Sequence, residues 1–118
     1  MNEQGVVTLT RLAYAAMGWL MWRNNVGACQ DDHGNFIRYG LANESKQMNK
    51  KIKSSDLIGI RPVVITQEMV GTTIGQFVAL EVKKPGWVYK GTAREVAQWE
   101  FIKLVNNNGG HASFITGN

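Results

Sequence analysis

The segment FVALEVKKPGW, residues 77–87, constrains the fold more than any other part of the sequence. Its apolar start is typical of a strand inside a sheet, and the turn residues of PGW predict the end of that strand. Glu81 and Lys83 lie two residues apart, so their side chains share one face of the strand. Such a pair is either a surface ion pair, worth well under about 1 kcal/mol, or half of a catalytic site.

A helix and a further strand are predicted after this segment. Thr92 and Glu95 have the spacing of a capping box, which predicts a helix that starts at Thr92. The sequence NNNGG, residues 106–110, is typical of a helix C-terminus, so the helix is predicted to end near Val105. The apolar sequence HASFI, residues 111–115, predicts a closing strand.

Weaker patterns predict the other elements. Apolar spacings of three and four predict a helix over residues 8–17, and residues 24–35 have the composition of a loop. Residues 41–55 carry four lysines and few apolar side chains, which predicts a mobile basic loop. The order of helix, strands, helix and strand predicts one small mixed α/β domain over residues 1–118. The remaining strands are predicted over residues 19–23, 36–40, 56–60, 62–66 and 76–84.

Positive charge is concentrated in one stretch of the chain. The formal net charge is +4, and residues 45–94 contain nine lysines or arginines and three acids. This band favours a polyanion as partner, although a solvated surface explains it equally well. No membrane contact is expected, because no apolar run approaches the roughly 18 residues of a span. The N-terminus has no signal-peptide pattern and Cys29 is the single cysteine, so a cytoplasmic location is expected.

Two acids at strand ends predict a metal site. Asp56 begins one predicted strand, and Glu81 lies near the end of another. Neighbouring strands bring such ends together, and paired carboxylates suit Mg²⁺ or Mn²⁺. Lys83, on the face of Glu81, would approach a scissile phosphate, which predicts phosphodiester hydrolysis. The alternatives are a turn residue at Asp56 and a surface ion pair between Glu81 and Lys83.

Gln98 completes the set of candidate catalytic residues. On the predicted helix it shares a face with Phe101, Ile102 and Val105. An amide on a core-facing stripe needs hydrogen-bond partners, and a position beside Lys83 or the metal site would supply them. The alternative is a half-exposed glutamine without a catalytic role.

The ordered pattern of Asp56, an E-x-K strand and a helix that carries glutamine resembles the PD-(D/E)XK nuclease superfamily. It is most similar to the virus-type replication-repair nuclease (VRR-NUC) domain in its small stand-alone phage and bacterial form. The resemblance covers about residues 19–116 and implies a restriction-endonuclease-like αβββαβ core with metal-dependent DNA cleavage. The segments that carry it are LEVKKPG, AQWEFI, WRNNVGA, SSDLIGI and GGHASFI.

The resemblance implies a role for each site residue. Asp56 and Glu81 match the metal carboxylates of the family, and Lys83 matches its catalytic lysine. Gln98 matches the glutamine of the last helix. Val82 lies between the charged pair and would offer its backbone carbonyl to the metal.

The first helix departs from the family pattern. Many members carry a glutamate on that helix, whereas the helix predicted over residues 8–17 has none and the nearest acid is Glu3. The resemblance therefore leaves a third carboxylate ligand open.

The residues expected to bind DNA lie in three parts of the chain. The lysines of residues 41–55 suit phosphates, because lysine is a flexible point charge. The resemblance implies that the residues at 23–25 contact the DNA backbone or brace the site, and the alternative is a plain turn. Trp87, beside the predicted site, is the aromatic candidate. The full set is Arg23, Asn24, Asn25, Lys46, Lys50, Lys51, Lys53, Lys84, Trp87, Lys90 and Arg94.

The expected activity is that of a structure-specific DNA endonuclease. Related compact nucleases resolve four-way (Holliday) junctions in repair and recombination, and the resemblance implies the same here, in a bacterial or phage-infected cytosol. A homodimer is expected, because 118 residues offer little surface for a branched substrate. The alternatives are a nuclease for flaps or other branched DNA, and a non-catalytic DNA-binding module with the nuclease fold.

Overall fold

The computed structural model describes residues 2–116, which divide into two compact units between Gly59 and Ile60. No helix within these residues has the length and apolar character needed to cross a membrane. The combination of helices with small sheets confirms the mixed α/β class, while the single-domain organisation stays a prediction. In chain order the elements are α1 (Glu3–Ala16), β1 (Leu20–Arg23), β2 (Gly27–Gln30), β3 (Phe36–Tyr39), α2 (Lys46–Lys51), β4 (Leu57–Ile60), β5 (Val78–Lys83), α3 (Ala93–Asn107) and β6 (His111–Thr116).

The strands of the described residues pair as three two-stranded sheets: β1 with β4, β2 with β3, and β5 with β6. The approach of β4 to β1 depends on Gly59, because an added Cβ would overlap the backbone carbonyl oxygen of Leu20. Glycine at this position therefore allows the first pair of strands to meet.

Helix α1 begins earlier than predicted. The side chain of Asn2 accepts a hydrogen bond from the backbone N–H of Gly5 at 2.8 Å, which caps the helix just before Glu3. The prediction began at residue 8 because it followed apolar spacing, and a polar cap lies outside that pattern. The helix ends before Gly18, whose φ of 85° suits a residue without a side chain.

Residues 24–35, predicted as a loop, contain strand β2. This strand pairs antiparallel with β3, with Gln30 opposite Phe36. Asp31 closes the turn, since its Oδ1 accepts hydrogen bonds from the backbone N–H groups of His33 and Asn35 at 2.9 and 2.8 Å. The loop prediction was wrong for β2 because the strand is short and mostly exposed, so it lacks the alternation of a half-buried strand.

Residues 41–55, predicted as a mobile basic loop, contain helix α2. Ser45 caps this helix, because its Oγ accepts a hydrogen bond from the backbone N–H of Met48 at 3.0 Å. Asn43, only 3% exposed, donates to the carbonyls of Gly27 and Tyr39 at 2.8 and 2.9 Å. Helix α2 has no buried residue, so no apolar stripe marked it in the sequence. The mobility of the segment stays a prediction.

Residues 62–66 form no strand, contrary to the prediction. The side chains of Val64 and Ile65 are 86% and 68% exposed. β-Branched residues favour an extended backbone, but a strand also needs a neighbour for its hydrogen bonds, and Pro62 has no N–H to donate. A 3₁₀ turn, Gln67–Met69, follows this segment.

The core of the second unit is formed by β5, α3 and β6. Strands β5 and β6 run parallel, and α3 is the connection between them. Ile102 and Val105 of α3 are 3% and 0% exposed, and Ala112 of β6 is 6% exposed. At Gly110 an added Cβ would lie 2.6 Å from Cγ1 of Val105, so glycine lets the chain enter β6 directly against the helix.

The predicted capping box of α3 is confirmed. Thr92 Oγ1 accepts a hydrogen bond from the backbone N–H of Glu95 at 3.2 Å, and Glu95 Oε1 accepts from the backbone N–H of Thr92 at 3.0 Å. The helix continues to Asn107, slightly beyond the predicted end near Val105.

Replacing Ile102 with alanine should leave a cavity between α3 and the β5–β6 pair. We expect Ile102→Ala to lower the free energy of unfolding by about 2–5 kcal/mol. Leu104→Ala is the matched control, because Leu104 lies on the same helix but is 40% exposed. Urea denaturation of both variants measures the difference, and equal losses would contradict the assignment of the core.

Candidate functional site

Three of the predicted site residues meet between β5 and α3. The ammonium Nζ of Lys83 donates a hydrogen bond to Oε1 of Gln98 at 2.7 Å. The Nε2 of Gln98 donates to Oε1 of Glu81 at 2.9 Å. The Nζ of Lys83 and the Oε1 of Glu81 are 3.9 Å apart. The amide thus joins a cation at its oxygen to a carboxylate at its nitrogen, the pairing that its own polarity requires.

The alternation of side chains along β5 explains why Glu81 and Lys83 both contact Gln98. Ala79, Glu81 and Lys83 are half-buried, whereas Val78, Leu80 and Val82 are exposed, so the two charged side chains share the less exposed face. Gln98 reaches both of them from α3. The side chain of Val82, which the resemblance links to the metal through its backbone carbonyl, lies on the opposite face and is 72% exposed.

Lys83 and Glu81 differ in their access to solvent. The side chain of Lys83 is 15% exposed, and that of Glu81 is 40% exposed. The Nζ of Lys83 also lies 5.4 Å from the ring centroid of Trp87 and 5.7 Å from that of Phe114. The lysine is therefore held on several sides, while the carboxylate remains accessible to a cation or to water.

Glu95 organises the loop between β5 and α3. It is 6% exposed, and its Oε2 accepts a hydrogen bond from the indole Nε1 of Trp87 at 2.9 Å. Its Oε1 accepts from the backbone N–H groups of Lys90 and Thr92. The hydrogen bond from the backbone N–H of Thr92 lowers the pKa of the Glu95 carboxyl, burial opposes this shift, and the bonds from Lys90 and Trp87 reinforce the lowering.

Asp56 belongs to the first unit, where it lines a polar pocket of about 570 Å³. The other predicted catalytic residues, Glu81, Lys83 and Gln98, belong to the second unit. The sharing of one metal by Asp56 and Glu81 stays a prediction. The pocket is lined by Glu3, Gln4, Val7, Arg23, Asn24, Asn25, Val26, Tyr39 and Asp56.

Asn24 braces the segment that carries Asp56. Its backbone N–H donates to the carbonyl of Asp56 at 2.9 Å. Its Nδ2 donates to Ser54 Oγ and to the carbonyl of Ser55, both at 2.8 Å, and its Oδ1 accepts from the backbone N–H of Leu41 at 3.3 Å. The side chain of Asn24 thus joins two parts of the chain, and its role in bracing the site or contacting DNA stays a prediction.

Glu3, the nearest acid to the helix predicted over residues 8–17, is a candidate for the third carboxylate ligand that the resemblance leaves open. Because the Asn2 cap starts α1 at Glu3, the carboxylate belongs to the first helix and lines the same pocket as Asp56. Asparagine followed directly by an acid is typical of a helix start, and this signal could have placed Glu3 on the first helix.

Carboxylates of this kind fit a hard divalent cation. Glu81 presents an accessible side chain, and Asp56 and Glu3 are exposed residues that line one polar pocket. Within residues 2–116, no three histidine, cysteine, aspartate or glutamate side chains cluster as one metal-binding group. The carboxylate oxygens therefore suit Mg²⁺ or Mn²⁺. Glu81 belongs to the second unit, and Asp56 and Glu3 belong to the first.

The residues predicted to bind DNA have varied surroundings. The guanidinium of Arg23 donates to the side-chain oxygen of Gln4 when the Gln4 amide is oriented to accept. Lys53 donates from Nζ to the carbonyl and the Oδ1 of Asn49, at 3.1 and 2.6 Å. Trp87 packs against Phe114 and donates its N–H to Glu95, and a contact of its ring with DNA stays a prediction. The predicted residues with exposed positions are Arg23, Asn25, Lys46, Lys50, Lys51, Lys53, Lys84, Lys90 and Arg94.

No protein-family model, curated protein or solved structure matches this chain. A function for it therefore has to be inferred from the side chains, their geometry and the resemblance of the sequence pattern.

The lowered pKa of Glu95 makes a contribution to stability that depends on pH. The folded pKa lies below the ordinary value of 4.5, so the contribution is present above that value and is lost as the pH falls through the folded pKa. We expect Glu95→Gln to melt at a lower temperature than the wild type at pH 7, and the difference to shrink below about pH 4.5.

Thermal unfolding measured from pH 7 to pH 3 tests this expectation. Glu100→Gln is the control, because the Glu100 side chain is 62% exposed and pairs with Lys103. A difference between the wild type and Glu95→Gln that grows as the pH falls would contradict the assignment.

Proposed function

We propose that this protein is a divalent-metal-dependent endonuclease that hydrolyses phosphodiester bonds in branched DNA. The observation that carries the proposal is the Gln98 amide, which links the ammonium of Lys83 to the carboxylate of Glu81. An E-x-K pair on a strand is common, but a helix-borne glutamine that holds both charges is not expected of a plain surface ion pair.

Lys83 is the residue we assign to the scissile phosphate. Its side chain is 15% exposed and its ammonium is held by Gln98, so little rearrangement is needed when a phosphate arrives. A positive charge in such a position stabilises the charge that develops on the phosphoryl oxygens as water attacks phosphorus and the P–O bond breaks. Gln98 keeps the ammonium and the carboxylate apart and correctly oriented.

Glu81 and Asp56 are the carboxylates we assign to Mg²⁺ or Mn²⁺, with the carbonyl of Val82 as a further ligand implied by the resemblance. Glu3 is a further candidate beside Asp56, since both line one pocket of the first unit. When bound, the metal supplies Lewis-acid polarisation and makes a water molecule more acidic. We also propose that the chain has the restriction-endonuclease-like core that the resemblance implies.

Four-way junctions are the substrate class we favour, with a homodimer as the active form. A two-fold dimer presents two identical sites, which suits paired cuts on opposed strands. The exposed lysines of α2 and of the loop after β5 would contact DNA phosphates, because they supply positive charge without the geometry of base recognition.

Cleavage of labelled DNAs in Mg²⁺ or Mn²⁺ tests the activity directly. The panel contains linear duplex, flap, splayed-arm and four-way junction substrates, with Ca²⁺ as a condition that supports binding without chemistry. We expect Lys83→Ala, Glu81→Ala and Asp56→Asn each to reduce the cleavage rate by about 100-fold or more while the fold survives.

The exposed pair Glu100 and Lys103 provides matched controls for these variants. The two residues lie on α3 and their side chains are 2.8 Å apart. They are not part of the group formed by Glu81, Lys83 and Gln98. Glu100→Ala and Lys103→Ala should therefore cleave like the wild type. Binding to junctions without cleavage by the wild type in either metal would instead identify a non-catalytic DNA-binding module.

The lysines of residues 46–53 should contribute to affinity through phosphates. Each contact releases about 0.9 counterion on a duplex arm, so replacing four lysines with glutamine should flatten the log–log salt dependence by up to roughly 3 to 4 units. Lys53 has Asn49 as a partner and should contribute least.

Binding titrations at several salt concentrations measure this slope. The control is Lys103→Gln, which removes a charge from α3. An unchanged slope in the variant that replaces Lys46, Lys50, Lys51 and Lys53 would remove this segment from the DNA-binding surface.

A further inference from the structure

The ammonium of Lys83 is surrounded by two aromatic rings as well as by Gln98. Its Nζ lies 5.4 Å from the ring centroid of Trp87 and 5.7 Å from that of Phe114. Both distances fall within the range of about 6 Å in which a ring face attracts a cation. The two rings pack against each other with centroids 4.8 Å apart and an interplanar angle of 41°.

We propose that Trp87 and Phe114 are positioning residues for Lys83, which hold its ammonium toward the substrate without occupying its N–H donors. This inference rests on the proposed function, because Lys83 needs positioning for catalysis only if the chain cleaves DNA. The substrate group that the held ammonium would receive is a phosphate oxygen of the scissile bond.

The count of donors favours rings for this purpose. An ammonium has three N–H groups, and the hydrogen bond found for Lys83 among residues 2–116 goes to Gln98. The Oε1 of Glu81 is 3.9 Å away, beyond an ordinary hydrogen bond. Aromatic faces attract the positive charge but accept no strong hydrogen bond, so the remaining donors stay available to a phosphate.

Trp87 is itself fixed from two directions. Its backbone N–H donates to the carbonyl of Lys84 at 3.2 Å, across a turn in which Gly86 has a φ of 80°. Its indole N–H donates to the buried carboxylate of Glu95 at 2.9 Å. A ring that is held at both its backbone and its far edge presents a constant face to Lys83.

Phe114 is fixed by the register of the sheet. It lies opposite Glu81 in the parallel β5–β6 pair, which places it on the face of Glu81 and Lys83. The ring of Trp99 on α3 stacks on Phe114 with centroids 6.4 Å apart and an interplanar angle of 14°. The second ring is therefore supported by the same helix that carries Gln98.

Two leucine variants and one phenylalanine variant separate positioning from packing. Trp87→Leu and Trp87→Phe both lose the hydrogen bond to Glu95, but only Trp87→Phe keeps an aromatic face. Phe114→Leu removes the other ring. We expect Trp87→Leu to lower kcat on the cleaved substrate about tenfold below Trp87→Phe, with little change in KM.

The KM and kcat values also distinguish positioning from direct contact with DNA. If Trp87 served mainly as a stacking platform for DNA, its loss would raise KM and leave kcat unchanged. Equal kcat values for the folded Trp87→Leu and Trp87→Phe variants, together with a wild-type kcat for Phe114→Leu, would overturn the positioning role.

Nuclear magnetic resonance of the free protein gives a readout that is independent of cleavage. Ring currents should shift the CεH₂ signals of Lys83 upfield of those of Lys103, whose side chain is 44% exposed. Trp87→Leu and Phe114→Leu should each reduce this shift, and Trp87→Phe should retain more of it.

The two readouts separate the failure of this inference from the failure of the proposed function. Unshifted Lys83 signals in the wild type would overturn the ring contacts whether or not DNA is cleaved. Shifted signals in a protein that cleaves none of the DNAs would refute the nuclease, and the catalytic positioning with it, while the ring contacts remain. Shifted signals with the expected loss of kcat support both.

Discussion

The parallel pairing of β5 with β6 is the constraint on which the candidate site depends. Parallel strands cannot be joined by a tight turn, so the chain must cross over between them, and α3 is that crossover. The buried side chains of Ile102 and Val105 pack the helix against the sheet. Once the helix lies there, the half-buried face of β5 has α3 as its neighbour, and Gln98 meets Glu81 and Lys83.

The parts of this arrangement that could be predicted from sequence are local or periodic. Thr92 and Glu95 are close in sequence and form the capping box with no help from distant residues. The alternation of a strand places Glu81 and Lys83 on one face, and helical spacing places Gln98 on the side of Ile102 and Val105. These two periodicities, together with the need of an amide for hydrogen-bond partners, favour a position of Gln98 beside Lys83 or beside the metal site. The structure places it beside Lys83.

The elements that were missed depend on polar caps or on partners distant in sequence. Strand β2 is exposed and is organised by the Asp31 turn, and α2 begins at Ser45 with no buried side chain. Residues 62–66 have the composition of a strand but none of the pairing. The sharing of one metal by Asp56 and Glu81 stays a prediction, because it depends on a distance that no local sequence pattern encodes.

The two-ended character of the Gln98 amide has a consequence for the order of charges on β5. If lysine stood at position 81 and glutamate at position 83, a 180° flip of the Gln98 amide would exchange its oxygen and nitrogen. The flipped amide would then bind the two charges in their reversed order, with almost the same shape. Gln98 alone therefore does not distinguish one order from the other. The rings of Trp87 and Phe114 do, because their faces attract a cation at position 83 and would repel a carboxylate there. The two uncharged aromatic side chains thus determine which position of the pair carries the positive charge.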